Sequence, residues 1–260
     1  MLYTLADWPT WLILALCTAL FSAIMFGTRW ATRRIKSSER KKELVTLASS
    51  MNGPTGATLA FLVGFAVSIT WGTISAAQSS VEKVAAQAQE ISWLSDRLDD
   101  RAAAEALNRD LQLYLETVAT ADKATLAQQN FNEMPSFKYL DALEADLRRI
   151  AQTDSRTNPQ SSKLVSGGAE LVTAQAELNA IARRDLPPVF IQLLILTGAL
   201  SAATVGIVAA RTRRPYLIAG WALVTAMGIT VVLTLYDPFS GSVTVDFQPL
   251  LDAAGRLHKP

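Results

Sequence analysis

Residues 56–76 read GATLAFLVGFAVSITWGTISA, with Gly56, Ala60, Gly64, Ser68, Gly72 and Ala76 at every fourth position. On a helix these small residues stack into one smooth ridge. Inside a bilayer, where lipid tails are as apolar as leucine, such a ridge lets two helix backbones approach closely. The stretch lies inside a longer run, 54–78, that holds no Asp, Glu, Lys, Arg or His. The fold class follows: an all-α integral membrane protein.

Working outward, the same absence of charge recurs over 11–28, 187–210 and 216–236. Each run approaches the roughly 20 residues that cross about 30 Å of hydrocarbon, so four transmembrane helices are expected. The mean hydropathy of +0.22 averages these spans with a polar remainder. The net charge of +1 therefore says little about partners. No basic residue precedes the first run and no small-x-small cleavage site leads into polar sequence, so this span is expected to stay in the protein. Tyr3, Trp8, Trp11, Trp30, Tyr216 and Tyr236 sit where interfacial anchors belong. The chain divides into 1–53 (first span and basic loop), 54–78 (second span), 79–186 (helical insert), 187–236 (third and fourth spans) and 237–260 (tail).

Arg29, Arg33, Arg34, Lys36, Arg40, Lys41 and Lys42 follow the first span, and Arg211, Arg213 and Arg214 link the third and fourth. Both connections face one side, which the positive-inside rule makes cytoplasmic. Both termini and the insert are then expected outside a bacterial inner (plasma) membrane. The basic loop equally suits anchoring to an anionic leaflet, and no nucleic-acid binding is expected of it.

The insert reads as helices. Val81, Val84, Ala88, Ile91, Leu94 and Leu98 keep a 3–4 spacing, and Leu107, Leu111, Tyr114 and Val118 resume it beyond Asp99-Asp100-Arg101. No Pro or Gly lies between Ser75 and Ser92, so the second span is expected to continue into the insert without a break. A further helix begins near Pro135-Ser136 with Leu140, Leu143, Leu147 and Ile150 on one face, and ends at a segment containing Asn158 and Pro159. Another carries Leu164, Leu171, Leu178 and Ile181 and leads to Pro187-Pro188, residues suited to a helix's first turn. These narrow, Ala-rich stripes need neighbours, either within an antiparallel bundle or from other subunits.

Catalytic chemistry finds little to work with. The chain has one His, His258, and one Cys, Cys17, so neither an internal disulfide nor a Cys/His metal cluster is possible. Gly167-Gly168 is too short a pattern for nucleotide binding, and no Walker or Rossmann spacing occurs. No cofactor and no enzymatic activity are expected. The uncharged spans also argue against proton relays and voltage sensors, which require intramembrane charge.

The third span repeats the ridge with Gly198, Ala202, Gly206 and Ala210, and the fourth carries Gly220 and Gly228. Beside the ridge of the second span runs a row of bulky residues, Phe61, Phe65 and Ile69. Such a row either faces lipid or forms a constriction that gates by dewetting. After the fourth span, Pro238 stops the helix, Ser240-Gly241 supplies a turn, and Val243, Val245 and Phe247 alternate as in an extended segment. A short extended tail is expected.

The run Asp237-Pro238-Phe239-Ser240-Gly241, followed by Ser242-Val243-Thr244-Val245-Asp246-Phe247-Gln248-Pro249-Leu250-Leu251, resembles the C-terminal signature of the bestrophin-like family of bacterial four-span membrane proteins. Residues 56–65, the polar stretch 82–93, and Leu186-Pro187-Pro188 match that family in order. The resemblance, distant for bestrophin anion channels themselves, implies a homo-oligomer, tetramer or pentamer, with the second span lining a pore for small anions. It assigns Phe61, Phe65 and Ile69 to the pore neck. The chain departs from bestrophins in lacking the acidic run after the Pro-Phe-Gly segment, so calcium regulation is not implied. Bestrophins also hold the long helical region in the cytoplasm, where the basic connections of this chain place it outside. A different class of function stays open, a membrane-anchored helical sensor or scaffold whose insert binds a partner.

Overall fold

A computed structural model describes residues 8–128, 134–154, 160–184, 187–212, 216–236, 238–240 and 243–257. Tyr3, Asn158, Pro159, Leu186, Arg213, Arg214, Asp237, Gly241 and His258, all named above, lie outside the described residues. In chain order the helices are α1 (Thr10–Arg33), α2 (Ser38–Ser95), α3 (Arg101–Thr117), a π-helical turn (Val118–Asp122), α4 (Lys123–Ala127), α5 (Phe137–Asp154), α6 (Gln160–Ala182), α7 (Pro188–Val208), α8 (Tyr216–Thr234) and α9 (Gln248–Leu257). They belong to two compact units, one formed by 1–72 with 185–243 and the other by 73–184 with 244–260.

The first unit is the apolar one. In α1, Ile13, Cys17, Phe21 and Met25 fall one turn apart and are all buried, the stripe a helix needs to pack on neighbours. It packs on α7 and α8. Leu59, Leu62 and Ala66 of α2, Leu194 and Ala202 of α7, and Ala222, Ala226, Ile229 and Val232 of α8 complete this core. Pro188 opens α7 as its sequence position predicts. The lengths and compositions of Thr10–Arg33, Ser38–Ser95 and Pro188–Arg211 suffice to cross a membrane. α8, an uncharged helix of 19 residues, reaches about 28 Å at 1.5 Å per residue. The chain is an all-α multi-span membrane protein with a long helical region between its spanning segments.

α2 differs from its sequence reading at one end. It continues past Ser92 as expected, but begins at Ser38, so Arg40, Lys41 and Lys42 are helical and Pro54 lies inside the helix. Residues 38–50 are rich in Glu, Lys, Arg, Leu and Ala, strong helix formers, and bury Val45 and Ala48. Thr55 and Thr58 hydroxyls donate to the Met51 and Pro54 carbonyls at 2.8 and 2.9 Å. Proline removes one bond from the ladder and does not here end it.

In the second unit the Ala-rich stripes are covered within one chain. Val81, Val84, Ala88 and Ile91 of α2, Leu107, Leu111 and Leu115 of α3, Leu143 and Leu147 of α5, and Leu164, Leu171 and Leu178 of α6 are all buried. Asp100 caps α3 by accepting from the Ala103 amide at 3.1 Å, which explains the break at Asp99-Asp100-Arg101. The tail is helical at its end: residues 244–247 carry neither helix nor strand and are followed by α9, which packs against α3. Asp246 accepts from the Gln248 amide at 2.9 Å, and Gln248 donates to Asp252 one turn on, local bonds that start a helix just after the alternating residues Val243–Phe247.

Candidate functional site

Thr55, Leu59, Leu62, Ala66 and Thr70 form the buried face of the membrane part of α2. The ridge lies away from this face. Ala60, Gly64, Ser68 and Gly72 are exposed and Gly56 is half-buried. A Cβ added at Gly56, Gly64 or Gly72 would meet nothing within 4 Å. The second row is also exposed, Phe61 by 69%, Phe65 by 47% and Ile69 by 38%. The Phe61 and Phe65 rings stack with centroids 6.1 Å apart, and Phe65 packs at 5.6 Å on Phe190 of α7.

The ridge on α7 has the opposite fate. Gly198, Ala202 and Gly206 are buried. A Cβ on Gly198 would stand 3.1 Å from Phe21 and from Ile229, and one on Gly206 would collide with Met25 and Thr28 of α1. One small-residue ridge is thus consumed within the subunit and the other is presented outward. Sequence spacing is identical in the two, so only the identity of the covering helix separates them.

The uncovered face is uncharged. The exposed Thr58 hydroxyl donates back to the Pro54 carbonyl at 2.9 Å, so it adds no free donor. What the face can do is pack against another helix or exclude water from a narrow space; it offers no acid, base or nucleophile. Within the signature segment Pro238 and Phe239 are buried and Ser240 is half-buried, while Asp237 and Gly241 lie outside the described residues.

Buried polar chemistry in the second unit was not foreseen from the sequence. Asp122, in the π-helical turn, accepts from the Ser136 amide at 3.0 Å and from the Ser136 hydroxyl. Burial raises its carboxyl above the ordinary range, while the Ser136 bonds pull the other way. The Tyr114 hydroxyl donates to Gln175 Oε1 at 2.8 Å and is held well above the usual phenol range by burial and by the Asp122 charge. These bonds tie α3, the π turn, the start of α5 and α6 together, and a π turn in sequence carries no signature that would have given them away. Among the described residues no group of three His, Cys, Asp or Glu side chains could hold a metal ion.

The architecture has close solved counterparts. A bacterial bestrophin homolog from Klebsiella pneumoniae matches with a TM-score of 0.69 at 14% identity, covering 94% of this chain and 98% of that one. Two singly substituted forms of it match with TM-scores of 0.69 and 0.63 at 14% and 13% identity, covering 95% and 94% of this chain and 97% and 98% of theirs. Identities this low establish the shared fold. Comparison with curated protein sequences found no match. The model of the Bestrophin-like domain matches residues 19–250, most of the chain. This chain is a multi-span membrane protein of the Bestrophin-like family.

Proposed function

We propose that the chain forms a homo-oligomeric channel for small anions in a bacterial inner membrane, with four spans per subunit and α2 around the central axis. One observation carries this reading: the small-residue ridge and the Phe61–Phe65–Ile69 row of α2 lie largely exposed on the subunit, while the same device on α7 is filled. The ridge Gly56–Ala60–Gly64–Ser68–Gly72 suits close contact with a neighbouring subunit's helix. The row beside it suits a ring at the axis, where a narrow apolar passage empties of water and an ion must shed hydration to cross. Residues 216–236 serve as the fourth span, with Tyr236 at the interface. The fold shared with a bacterial bestrophin homolog supports an arrangement of subunits about one axis. Four or five copies would close such a ring.

Sidedness follows the basic connections, which place the helical insert outside. The scaffold reading keeps one observation, an apolar groove of about 230 Å³ between α5 and α6, lined by Leu140, Leu147, Val165 and Val172 with Glu144 and Arg148 beside it. The test that separates the two is anion efflux from liposomes loaded with chloride and reconstituted with the purified protein. Flux above protein-free liposomes supports the channel. A properly reconstituted oligomer with no flux supports the scaffold.

A further inference from the structure

We infer that the end of α1 carrying Arg29, Arg33 and Arg34 binds the phosphate of an anionic phospholipid. Arg29 and Arg33 lie one turn apart and both reach the segment that follows α7. Arg29 Nη2 donates to the Thr212 carbonyl at 2.9 Å, and Arg33 Nη2 donates to the same oxygen at 3.1 Å. Arg33 Nε donates in addition to the Ala210 carbonyl at 3.4 Å. One carbonyl oxygen therefore gathers two guanidinium groups.

Neither group is neutralised by a described residue. Among the described residues, no carboxylate lies within ion-pairing distance of Arg29 or Arg33; the ion pairs there include Lys83–Glu177 and Arg149–Asp146, in the other unit. Arg29 is only 7% exposed, and its Nε is buried with no acceptor. Carbonyl dipoles supply a fraction of a charge, and the buried Arg29 lies beside the exposed Arg33, so repulsion between the two is screened less than it would be with both in water. Exposed Arg211, in the short 3-10 turn Ala209–Arg211 before Thr212, adds to the excess. A phosphate would relieve it, since guanidinium forks match phosphate oxygens in geometry as well as charge.

The surroundings point to a lipid as the source of that phosphate. On the neighbouring row of α1 the Arg34 guanidinium stacks 3.9 Å over the Trp30 ring. Exposed Trp30 continues into exposed Phe26, Leu20 and Leu16 along the same helix. Acyl chains have an apolar track to follow from the cationic end, and an indole marks the headgroup level. The positive-inside rule accounts for the number of basic residues on this side, but not for two of them converging on one oxygen. Basic pockets between membrane helices are recurrent headgroup sites.

The test is a titration of the full-length protein in detergent with phosphatidylglycerol, phosphatidylcholine or inorganic phosphate. Binding is read by native mass spectrometry and as thermal stabilisation. Saturable binding of phosphatidylglycerol alone is expected. Arg33→Gln with Arg34→Gln, both exposed, should weaken it about tenfold, the loss expected for a charge-assisted bond to phosphate. Lys41→Gln with Lys42→Gln removes equal charge from α2 and should leave it unchanged. Should the arginine variant fold poorly, Arg33→Lys keeps the charge without the fork and should still weaken binding. Equal losses in the arginine and lysine variants would mean a diffuse surface field and overturn the site. Phosphatidylcholine binding as tightly overturns phosphate charge recognition, and inorganic phosphate binding as tightly overturns the lipid assignment.

Discussion

The Phe21 ring of α1 stands 3.1 Å from where a Cβ on Gly198 of α7 would lie, with Ile229 of α8 equally near. No side chain larger than hydrogen fits without displacing part of the first unit's core. Gly198→Val should therefore lower the thermal stability of the detergent-solubilised protein by about 1–3 kcal/mol, the usual range for an overpacked core. An unchanged melting temperature would mean α1 and α7 are not this close.

Gly64→Leu should behave in the opposite way. A Cβ at Gly64 meets nothing within 4 Å in the subunit, so the fold of the single chain is expected to tolerate the change. If the ridge packs between subunits, close approach is lost and the oligomer dissociates or fails to form. Size-exclusion chromatography with light scattering distinguishes the two. A full-size oligomer at normal yield would place the ridge against lipid.

A pH dependence follows from Asp122. Its carboxyl is raised in the folded chain above the ordinary 3.8, by burial and in spite of the Ser136 bonds. Stability from such a group is fully present below the unfolded value and is lost as pH rises through the folded one. Asp122→Asn can keep both contacts, accepting from the Ser136 amide and donating to its hydroxyl, without a charge to desolvate. Thermal melts from about pH 4 to pH 8 should show a shallower loss of stability in Asp122→Asn than in the parent. Superimposable slopes would remove Asp122 as the source.

Sidedness can be read with one thiol. In a Cys17→Ser background, Lys163→Cys near the start of α6 should react with a membrane-impermeant maleimide added to intact cells. Reaction only after permeabilisation would put the helical insert in the cytoplasm.

Much of this fold was legible because apolar periodicity reports burial directly. The stripe Val81–Val84–Ala88–Ile91 and its counterparts in α3, α5 and α6 are the ones the core uses. Helix ends were harder to place. Pro54 looked like a start, yet the residues upstream are good enough helix formers to carry α2 through it. α9 was hidden because Val243, Val245 and Phe247 alternate, while its helical start depends on side-chain bonds of Asp246 and Gln248. Of the candidate site, both ridges were visible, but spacing alone cannot say that Gly198 is covered by Phe21 and Gly64 by nothing in the subunit. The Arg29–Thr212 contact joins residues 183 apart and the Asp122–Ser136 contact residues 14 apart across a helix break, so neither left a periodic pattern.

The channel reading places Phe65 beside the axis, half exposed and steadied by Phe190. Chloride flux is compared for the parent and Phe65→Ala in liposomes of one composition, with equal amounts of oligomer reconstituted. Removing the ring widens an apolar constriction and lowers its dewetting barrier, so the variant should conduct faster than the parent. Equal flux in the two, or none above protein-free liposomes in either, would contradict a pore lined by α2.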